Sequence, residues 1–291
     1  MKLAFLGFGE AASSIALGLH GEGLDQMKAF DVLLSDPAKK EKALNLIEKS
    51  GAQAAWSVQE AATDADLILS AVPADFAAST AESAAPFVKS GSLYVDVTTA
   101  SPGEKQKMAA IIEEKGAKFC DAAMLGPLLQ YKHKVPMLLS GSGSEAFRQL
   151  MEPYHMDLTV VEGAAGVATS IKFIRSISAK GIACILYETL QAAQYFHVED
   201  MIVDSLCESY GKSFEKVIDG YVSGTCIHAR RREHEMQNVE DMLKEAGLPC
   251  SIVTATKEKL ADIAQMDIPS RFENGVPRNW RGVLAGWKVN D

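Results

Sequence analysis

Residues 2–20 read KLAFLGFGEAASSIALGLH and predict a strand, a tight turn and a helix in succession. The apolar run at the start of this stretch has the length of a buried strand, and a glycine-rich turn follows it at once. Ile15 and Leu19 then recur at helical spacing. This order is typical of the first βαβ unit of an α/β fold with a mostly parallel sheet.

The glycine-rich turn has the pattern G-x-G-x-x-A, which is typical of sites that bind the pyrophosphate of a dinucleotide. In such a turn the first glycine makes the bend, the second admits the pyrophosphate, and the small third residue lets the helix pack on the strand. The unpaired N–H groups of the first helical turn also favour an anion there. The motif alone leaves open a plain strand-to-helix corner. The predicted cofactor contacts here are Gly7, Phe8, Gly9, Glu10, Ala11 and Ala12.

A carboxylate that accepts the ribose hydroxyls of the cofactor is expected at the end of the second strand. The run at residues 30–34, apolar except for Asp31, leads to Asp36, which lies 27 positions after Gly9. We therefore predict Asp36 as the ribose ligand and NAD as the cofactor, because a carboxylate repels the 2′-phosphate of NADP. Lys39 and Lys40 follow closely and keep NADP open as the alternative.

Composition and charge narrow the class of protein. The 291 residues suffice for two domains with separate cores, and 47% apolar with 23% charged residues is ordinary for a globular chain. A net charge of −9 argues against a nucleic-acid partner. The five cysteines form no C-x-x-C pair, which fits a reducing cytoplasm.

Neither an export signal nor a membrane span is expected. The glycine turn interrupts the N-terminal apolar run before it reaches the length of a signal peptide. The longest apolar stretch, residues 167–195, carries several charged side chains, which indicates a buried helix and not a membrane span. We predict a cytoplasmic protein with no membrane partner.

Apolar runs alternate with helical patterns through the first half of the chain. Predicted strands lie at residues 66–73, 93–97, 118–122, 135–139 and 159–161, with a short strand-like piece at 56–58. Predicted helices lie at residues 37–50 and 102–114, with another that ends at residue 84. This alternation predicts βαβ crossovers and a Rossmann-type dinucleotide-binding domain at residues 1–163.

The pattern changes after residues 163–166, and no further strand is expected. Helices are predicted at residues 167–197, 201–209, 213–221, 226–246 and 251–266, with an irregular tail after Ile268. We therefore predict an all-helical domain at residues 164–291 that contributes to substrate binding and dimerisation.

Five segments in order carry a family resemblance. They are the glycine turn and residues 96–102 (DVTTASP), 119–122 (FCDA), 135–141 (VPMLLSG) and 163–172 (GAAGVATSIK). In this order they resemble the β-hydroxyacid dehydrogenase family, which is similar to 6-phosphogluconate and 3-hydroxyisobutyrate dehydrogenases. The helical part beyond them resembles a divergent branch of that family whose C-terminal half is often left uncharacterised.

The resemblance implies an NAD(P)-dependent dehydrogenase or reductase that acts on a small hydroxy acid or its oxo counterpart. Lys172 would be the acid/base that takes the proton from the substrate hydroxyl as hydride leaves the carbon. Thr98 and Gly126 would hold the substrate, while Val72, Pro73 and Thr98 would complete the cofactor site. The alternative for Lys172 is a surface lysine, but small residues follow it on the same helix and leave room for a ligand.

Two departures from the family pattern concern the substrate. Leu125, Gly126 and Pro127 replace a serine-glycine-glycine segment, and Ser176 replaces an asparagine. Because proline has no N–H, the usual cradle for the substrate carboxylate is partly dismantled. Arg175 either supplies a replacement clamp or lies on the surface. We predict Leu125, Gly126, Arg175 and Ser176 as substrate-binding positions, and an anionic substrate outside the family's best-known acids.

The basic run Arg230, Arg231 and Arg232 lies in a mixed-charge helix, where pairing on a solvated face is the favoured interpretation, with one arginine able to face inward. His228 and His234 are not at zinc-ligand spacing, so no metal is predicted.

Two other functions stay open. An imine reductase would use the same scaffold with a different proton donor, which the presence of Lys172 disfavours. A dinucleotide-sensing protein without turnover would account for the altered segment at residues 125–127. The helix at residues 167–197 is too apolar for one domain face to cover, and the family resemblance also points to a homodimer.

Overall fold

The computed structural model describes residues 1–287, and the chain divides into two compact units, Met1–Lys172 and Phe173–Asp291. Residues 288–291, the end of the predicted domain 164–291, lie outside the described part. The division falls inside one helix, α8 (Val167–Phe196), whose first six residues belong to the first unit. The predicted domain boundary, between residues 163 and 164, lies just before this helix.

An eight-stranded sheet forms the centre of the first unit. Its strands are β1 (Leu3–Leu6), β2 (Met27–Phe30), β3 (Gln53–Ala54), β4 (Leu67–Ser70), β5 (Leu93–Asp96), β6 (Lys118–Met124), β7 (Met137–Ser140) and β8 (Leu158–Val160). They lie in the order β3-β2-β1-β4-β5-β6-β7-β8, and neighbouring strands are parallel except for the antiparallel pair β6 and β7. The predicted mostly parallel sheet is confirmed.

Helices cover both faces of this sheet, so its central strands are buried on both sides. The helices of this unit before α8 are α1 (Glu10–Gly21), α2 (Lys40–Lys49), α3 (Val58–Ala62), α4 (Ala77–Ala84), α5 (Pro102–Glu113), α6 (Leu128–Tyr131) and α7 (Ser144–Met151). In β1, Phe5 points into one apolar layer while Ala4 and Leu6 point into the other. This two-sided burial explains why the central strands read as continuous apolar runs.

Two predicted strands are placed wrongly. The predicted apolar run at residues 30–34 does not form the second strand, which ends at Phe30 and is followed by a 3₁₀ helix, Val32–Ser35. The side chain of Asp31 caps this 3₁₀ helix by accepting from the N–H of Leu33. Residues 56–58 are likewise not a strand, because Ser57 caps helix α3 there. A short polar side chain after a strand favours a cap and ends the extended backbone.

The described part of the second unit is helical, as predicted. After α8 come α9 (Glu199–Tyr210), α10 (Phe214–Glu245), α11 (Ser251–Gln265) and α12 (Trp280–Ala285). The two helices predicted at residues 213–221 and 226–246 are one helix, α10, with a kink at His228, where φ is −115° and ψ is 16°.

The tail after Ile268 is more regular than predicted. It contains a 3₁₀ helix, Ile268–Arg271, and then α12, which Asn279 caps by accepting from the N–H of Gly282. Trp280 of α12 is almost fully buried in the apolar core of the second unit. The burial of this large side chain supplies the free energy that orders a segment rich in glycine and proline.

Helices α8 and α10 pack together in the apolar core of the second unit. The hydroxyl of Tyr187 on α8 donates to the carbonyl of Val222 on α10 at 2.6 Å, and both residues lie in the apolar core. No helix within residues 1–287 is long and apolar enough to cross a membrane.

Candidate functional site

The loops that follow four parallel strands emerge side by side at one edge of the sheet. The register pairs Leu6 of β1 with Ser70 of β4, Ser70 with Asp96 of β5, and Asp96 with Asp121 of β6. The chain order of the strands reverses around β1, which lies between β2 and β4. In sheets of this type a dinucleotide binds in the crevice beside such a reversal, at the carboxyl ends of the strands.

The glycine turn lies at this edge and has the geometry that the motif predicts. Gly7 has a φ of +79°, and a Cβ atom there would lie 2.6 Å from Cγ1 of Val72, so only glycine fits. A Cβ atom on Gly9 would meet no protein atom within 4 Å. Ala12 is fully buried in the core beneath the helix. The protein therefore leaves space open above Gly9, where a pyrophosphate would approach.

Helix α1 begins at this turn and presents unpaired donors to the space above Gly9. The N–H of Ser13 is the first to bond within the helix, to the carbonyl of Gly9 at 3.0 Å. The N–H groups of Glu10, Ala11 and Ala12 precede it, and no side chain caps this end of the helix. Such an end suits a bound diphosphate.

The acidic residue that ends the second strand is Asp31 and not Asp36. Asp31 directly follows β2, 22 positions after Gly9, and its Oδ2 accepts from the N–H of Phe8 at 2.6 Å. Asp36 lies beyond the 3₁₀ helix, where it accepts from the N–H of Ala38 and faces Lys39 at 3.5 Å. The prediction that Asp36 stands at the end of the second strand is therefore wrong, and with it the reason for assigning Asp36 to the ribose.

The loops after β4 and β5 hold the other residues that were predicted to contact the cofactor. Val72 packs against the glycine turn, and Pro73 directly precedes the short 3₁₀ helix that follows β4. The hydroxyl of Thr98 donates to Oδ2 of Asp96 at 3.3 Å and accepts from the N–H of Ala100 at 3.2 Å. Thr98 thus shapes the loop after β5 with a hydroxyl that already has partners inside the protein.

The segment after β6 offers few donors to a substrate. The N–H of Leu125 donates to the carbonyl of Pro136 at 2.8 Å, and Pro127 has no N–H. Among the described residues, the N–H of Gly126 has no hydrogen-bond acceptor. One main-chain donor of this tripeptide is therefore available to a ligand.

The start of α8 is tied to the same edge by buried side chains. Oδ2 of Asp121 accepts from the N–H groups of Gly166 and Thr169 at 3.1 and 3.0 Å, and Oδ1 accepts from the hydroxyl of Thr169 at 2.7 Å. The hydroxyl of Ser140 accepts from the N–H of Ala168 at 3.0 Å. Lys172 follows less than one helical turn later and is half-buried.

The remaining predicted substrate positions belong to the second unit. Arg175 is exposed, whereas Ser176 is half-buried and accepts from Nζ of Lys180 at 2.8 Å.

In the basic run, Arg230 and Arg231 are exposed and pair with Glu233 and Glu235, as expected of a solvated face. Arg232 faces inward and binds the hydroxyl of Thr225. Burial lowers the pKa of Arg232, and the nearby charge of Glu235 opposes this effect.

Sequence analysis missed Asp31, Asp121 and Lys105 as residues that shape this edge. Lys105 lies on α5 and is fully buried with Met108, Ala109 and Ile112, which are the apolar face of that helix. A lysine at a position that the helical pattern assigns to the apolar face was therefore a signal that the sequence offered.

Within residues 1–287, no group of three or more His, Cys, Asp or Glu side chains could hold a metal ion.

Comparison with known proteins agrees with this geometry. A family model described as the NAD binding domain of 6-phosphogluconate dehydrogenase matches residues 2–154, and one described as a domain of unknown function (DUF1932) matches residues 193–263. An uncharacterised 28.5 kDa protein in the 7S RNA 5′ region of Methanothermus fervidus is 27% identical over 265 residues, which are 91% of this chain and 100% of the relative.

Solved structures also resemble the chain over most of its length. A conserved hypothetical protein from Sinorhizobium meliloti 1021 is 30% identical, with a TM-score of 0.81 over 98% of this chain and 95% of that one. Mycobacterium tuberculosis 3-hydroxyisobutyrate dehydrogenase with L-serine has a TM-score of 0.75 at 17% identity, over 91% of this chain and 94% of that one. At that identity the second likeness concerns the fold alone.

The fold and the glycine turn together define a Rossmann-type dinucleotide-binding protein. The chain belongs to the family of the NAD binding domain of 6-phosphogluconate dehydrogenase, whose model spans more than half of its length. The predicted resemblance to the family that includes 6-phosphogluconate dehydrogenase is thereby confirmed.

We expect Gly9→Ala to leave the fold intact and to weaken dinucleotide binding. The added methyl group meets no protein atom, but it occupies the space into which the pyrophosphate must come. The melting temperature should change by less than about 3 °C, and the affinity for NADH should fall by about tenfold or more. Thermal unfolding and NADH fluorescence titration measure the two quantities.

Two variants serve as controls for this prediction. Gly7→Ala should lower the melting temperature, because its Cβ clashes with Val72 and its φ is positive. Gly21→Ala, at the other end of α1 and also in open space, should change neither quantity. Unchanged NADH affinity in Gly9→Ala would contradict the placement of the pyrophosphate.

Proposed function

We propose that the protein is an NAD-dependent dehydrogenase or reductase that acts on a small hydroxy acid or its oxo counterpart. One observation carries this proposal: the glycine turn and the start of the helix that bears Lys172 are anchored at the same edge of the sheet. The open space above Gly9 supports the cofactor site, and the capping of α8 by Asp121 supports a fixed position for Lys172.

The chemistry requires a hydride acceptor and a proton acceptor that act together. The nicotinamide ring of the bound cofactor supplies the hydride chemistry. In the direction of oxidation, the neutral amine of Lys172 takes the proton of the substrate hydroxyl as the carbon loses hydride, and the hydroxyl becomes a carbonyl. In the direction of reduction, the ammonium of Lys172 returns that proton to the oxygen. The half-buried position of Lys172 suits a group that exchanges protons with a bound substrate.

The segment at residues 125–127 determines which substrates fit. Only the N–H of Gly126 remains there to bind a substrate oxygen, because Leu125 bonds to Pro136 and Pro127 has no N–H. A substrate carboxylate then needs a cation, and the exposed Arg175 is the predicted residue. We propose an anionic substrate. In this protein the segment binds the substrate through fewer backbone N–H donors than the serine-glycine-glycine segment of related enzymes provides.

The cofactor is proposed to be NAD, with Asp31 as the ribose ligand. The carboxylate of Asp31 ends β2 and has acceptor capacity beyond its two bonds to main-chain N–H groups. Lys39 faces Asp36, and the ammonium of Lys40 lies 4.8 Å from the centre of the Trp56 ring, so both nearby lysines already have partners.

NADH should bind at least about tenfold more tightly than NADPH, because Asp31 repels a 2′-phosphate. Asp31→Ser should reduce this ratio and keep an oxygen that can cap the 3₁₀ helix. Asp36→Ser, five residues further on, is the matched control and should keep the ratio. Fluorescence titration with both nucleotides gives the ratio; tighter NADPH binding by the wild type would refute the assignment.

Self-association is proposed to involve α8. Ile174 and Ile185 are 57% and 64% exposed on this helix, and Ile182 is exposed on the same stripe. Apolar side chains repeated along one helix face favour burial against another molecule, and we propose a second copy of this chain as the partner.

We expect the wild type to sediment as a homodimer at micromolar concentration. The double variant Ile174→Asp/Ile185→Asp should sediment as a monomer, because it places two charges in the stripe that the proposed dimer buries. Val32→Asp, at a residue 70% exposed in the first unit, is the control and should remain dimeric. A monomeric wild type would exclude the proposed association.

Lys172→Ala should abolish turnover while cofactor binding persists. A positioned acid/base contributes on the order of a hundredfold to ten-thousandfold in rate, whereas the glycine turn and Asp31 do not depend on this side chain. Steady-state rates with NAD⁺ and a panel of small hydroxy acids, beginning with 3-hydroxyisobutyrate and L-serine, measure the first effect. NADH titration measures the second.

Arg175→Ala is the companion variant, since it also removes a cation from α8. It should raise KM and leave kcat nearly unchanged if the guanidinium clamps the substrate. Full turnover in Lys172→Ala would overturn the mechanism, and lost NADH binding would make Lys172 a structural residue. NADH binding by a wild type with no turnover on any hydroxy acid or cyclic imine would favour a dinucleotide sensor.

A further inference from the structure

Lys105 is a buried cation between two buried carboxylates. Its Nζ lies 3.0 Å from Oδ1 of Asp96 and 3.2 Å from Oδ1 of Asp121, and all three side chains are 0% exposed. Nζ also donates to the carbonyl of Asp96 at 3.1 Å. Burial by itself lowers the pKa of Lys105, but the charges of the two aspartates outweigh it and hold the pKa above its ordinary value. Lys105 is therefore a permanent cation and not a proton donor at neutral pH.

Each aspartate holds a different loop of the candidate site. Asp96 accepts from the N–H of Thr98 at 2.7 Å and from its hydroxyl at 3.3 Å, which shapes the loop after β5. Asp121 accepts from the N–H groups of Gly166 and Thr169 and thereby caps the start of α8. Lys105 is the group that joins the two carboxylates.

The two carboxylates need a cation between them. Asp96 and Asp121 are register partners on adjacent strands, so their like charges lie close together in a medium of low dielectric constant. An ionised carboxylate has the greatest capacity to accept N–H bonds, because protonation turns one of its oxygens into a donor. Lys105 offsets the repulsion between the two carboxylates, and so lets both of them keep the hydrogen bonds that hold the two loops.

We infer that Lys105 is a positioning residue for the proposed reaction: through Asp96 and Asp121 it holds the Thr98 loop and the Lys172-bearing turn of α8 in one fixed arrangement. This inference rests on the proposed function for its kinetic consequence. Its structural consequence, order in two loops, is measurable without any substrate.

The test replaces Lys105 with methionine, which has a similar length and no charge. Lys105→Met should lower kcat by about a hundredfold, the cost of a small misplacement of reacting groups, and leave the affinity for NADH unchanged. Hydrogen–deuterium exchange should become faster at the amides of Thr98, Gly166 and Thr169. Lys107→Met, at an exposed position of the same helix, is the matched control and should alter none of these quantities.

A second substitution keeps the inference testable if Lys105→Met unfolds. Lys105→Met/Asp96→Asn removes one negative charge and retains an oxygen that can accept from the N–H of Thr98. It should recover the melting temperature, the protection of the three amides and part of kcat. Wild-type kcat and wild-type amide protection in Lys105→Met would overturn the inference. A double variant whose melting temperature, amide protection and kcat equal those of Lys105→Met would also overturn it. A wild type without turnover would instead count against the proposed function alone, since the amide measurements stand without it.

Discussion

The common direction of the central strands is the constraint on which the candidate site depends. Because β1, β4, β5 and β6 are parallel and in register, the loops that follow them must emerge at one edge. The glycine turn after β1 and the segment after β6 that is proposed to bind the substrate thus come to the same edge, although more than a hundred residues separate them. The sheet fixes the positions of these loops, and the groups on the loops are the ones that a ligand would contact.

The buried charges at this edge have a cost that the structure offsets with hydrogen bonds. Replacing a buried ion pair by apolar side chains often leaves stability unchanged or raises it, so stability alone does not explain the cluster. Apolar residues could not cap α8 as Asp121 does or shape the loop after β5 as Asp96 does. The cluster of Asp96, Lys105 and Asp121 therefore fixes the arrangement of two loops, and the cost of burying its charges is the cost of that order.

Much of the fold could be predicted because its signals are periodic and local. The central strands are buried on both faces and read as continuous apolar runs, and α8 repeats apolar residues over many turns. The second strand was misplaced because Val32 and Leu33 are apolar yet exposed in a 3₁₀ helix. Apolar character alone does not distinguish a strand from such a turn when the residues are few.

The sequence by itself determined the glycine turn, the alternation of strands and helices, and the helical second half, since each depends on neighbours within a few turns. Only the tertiary structure decided that Asp31 ends β2. Only it showed that Asp96, Lys105 and Asp121 meet, and that the hydroxyl of Thr98 turns toward Asp96. These contacts join residues on different strands and helices, so they depend on the register between elements that no local pattern encodes.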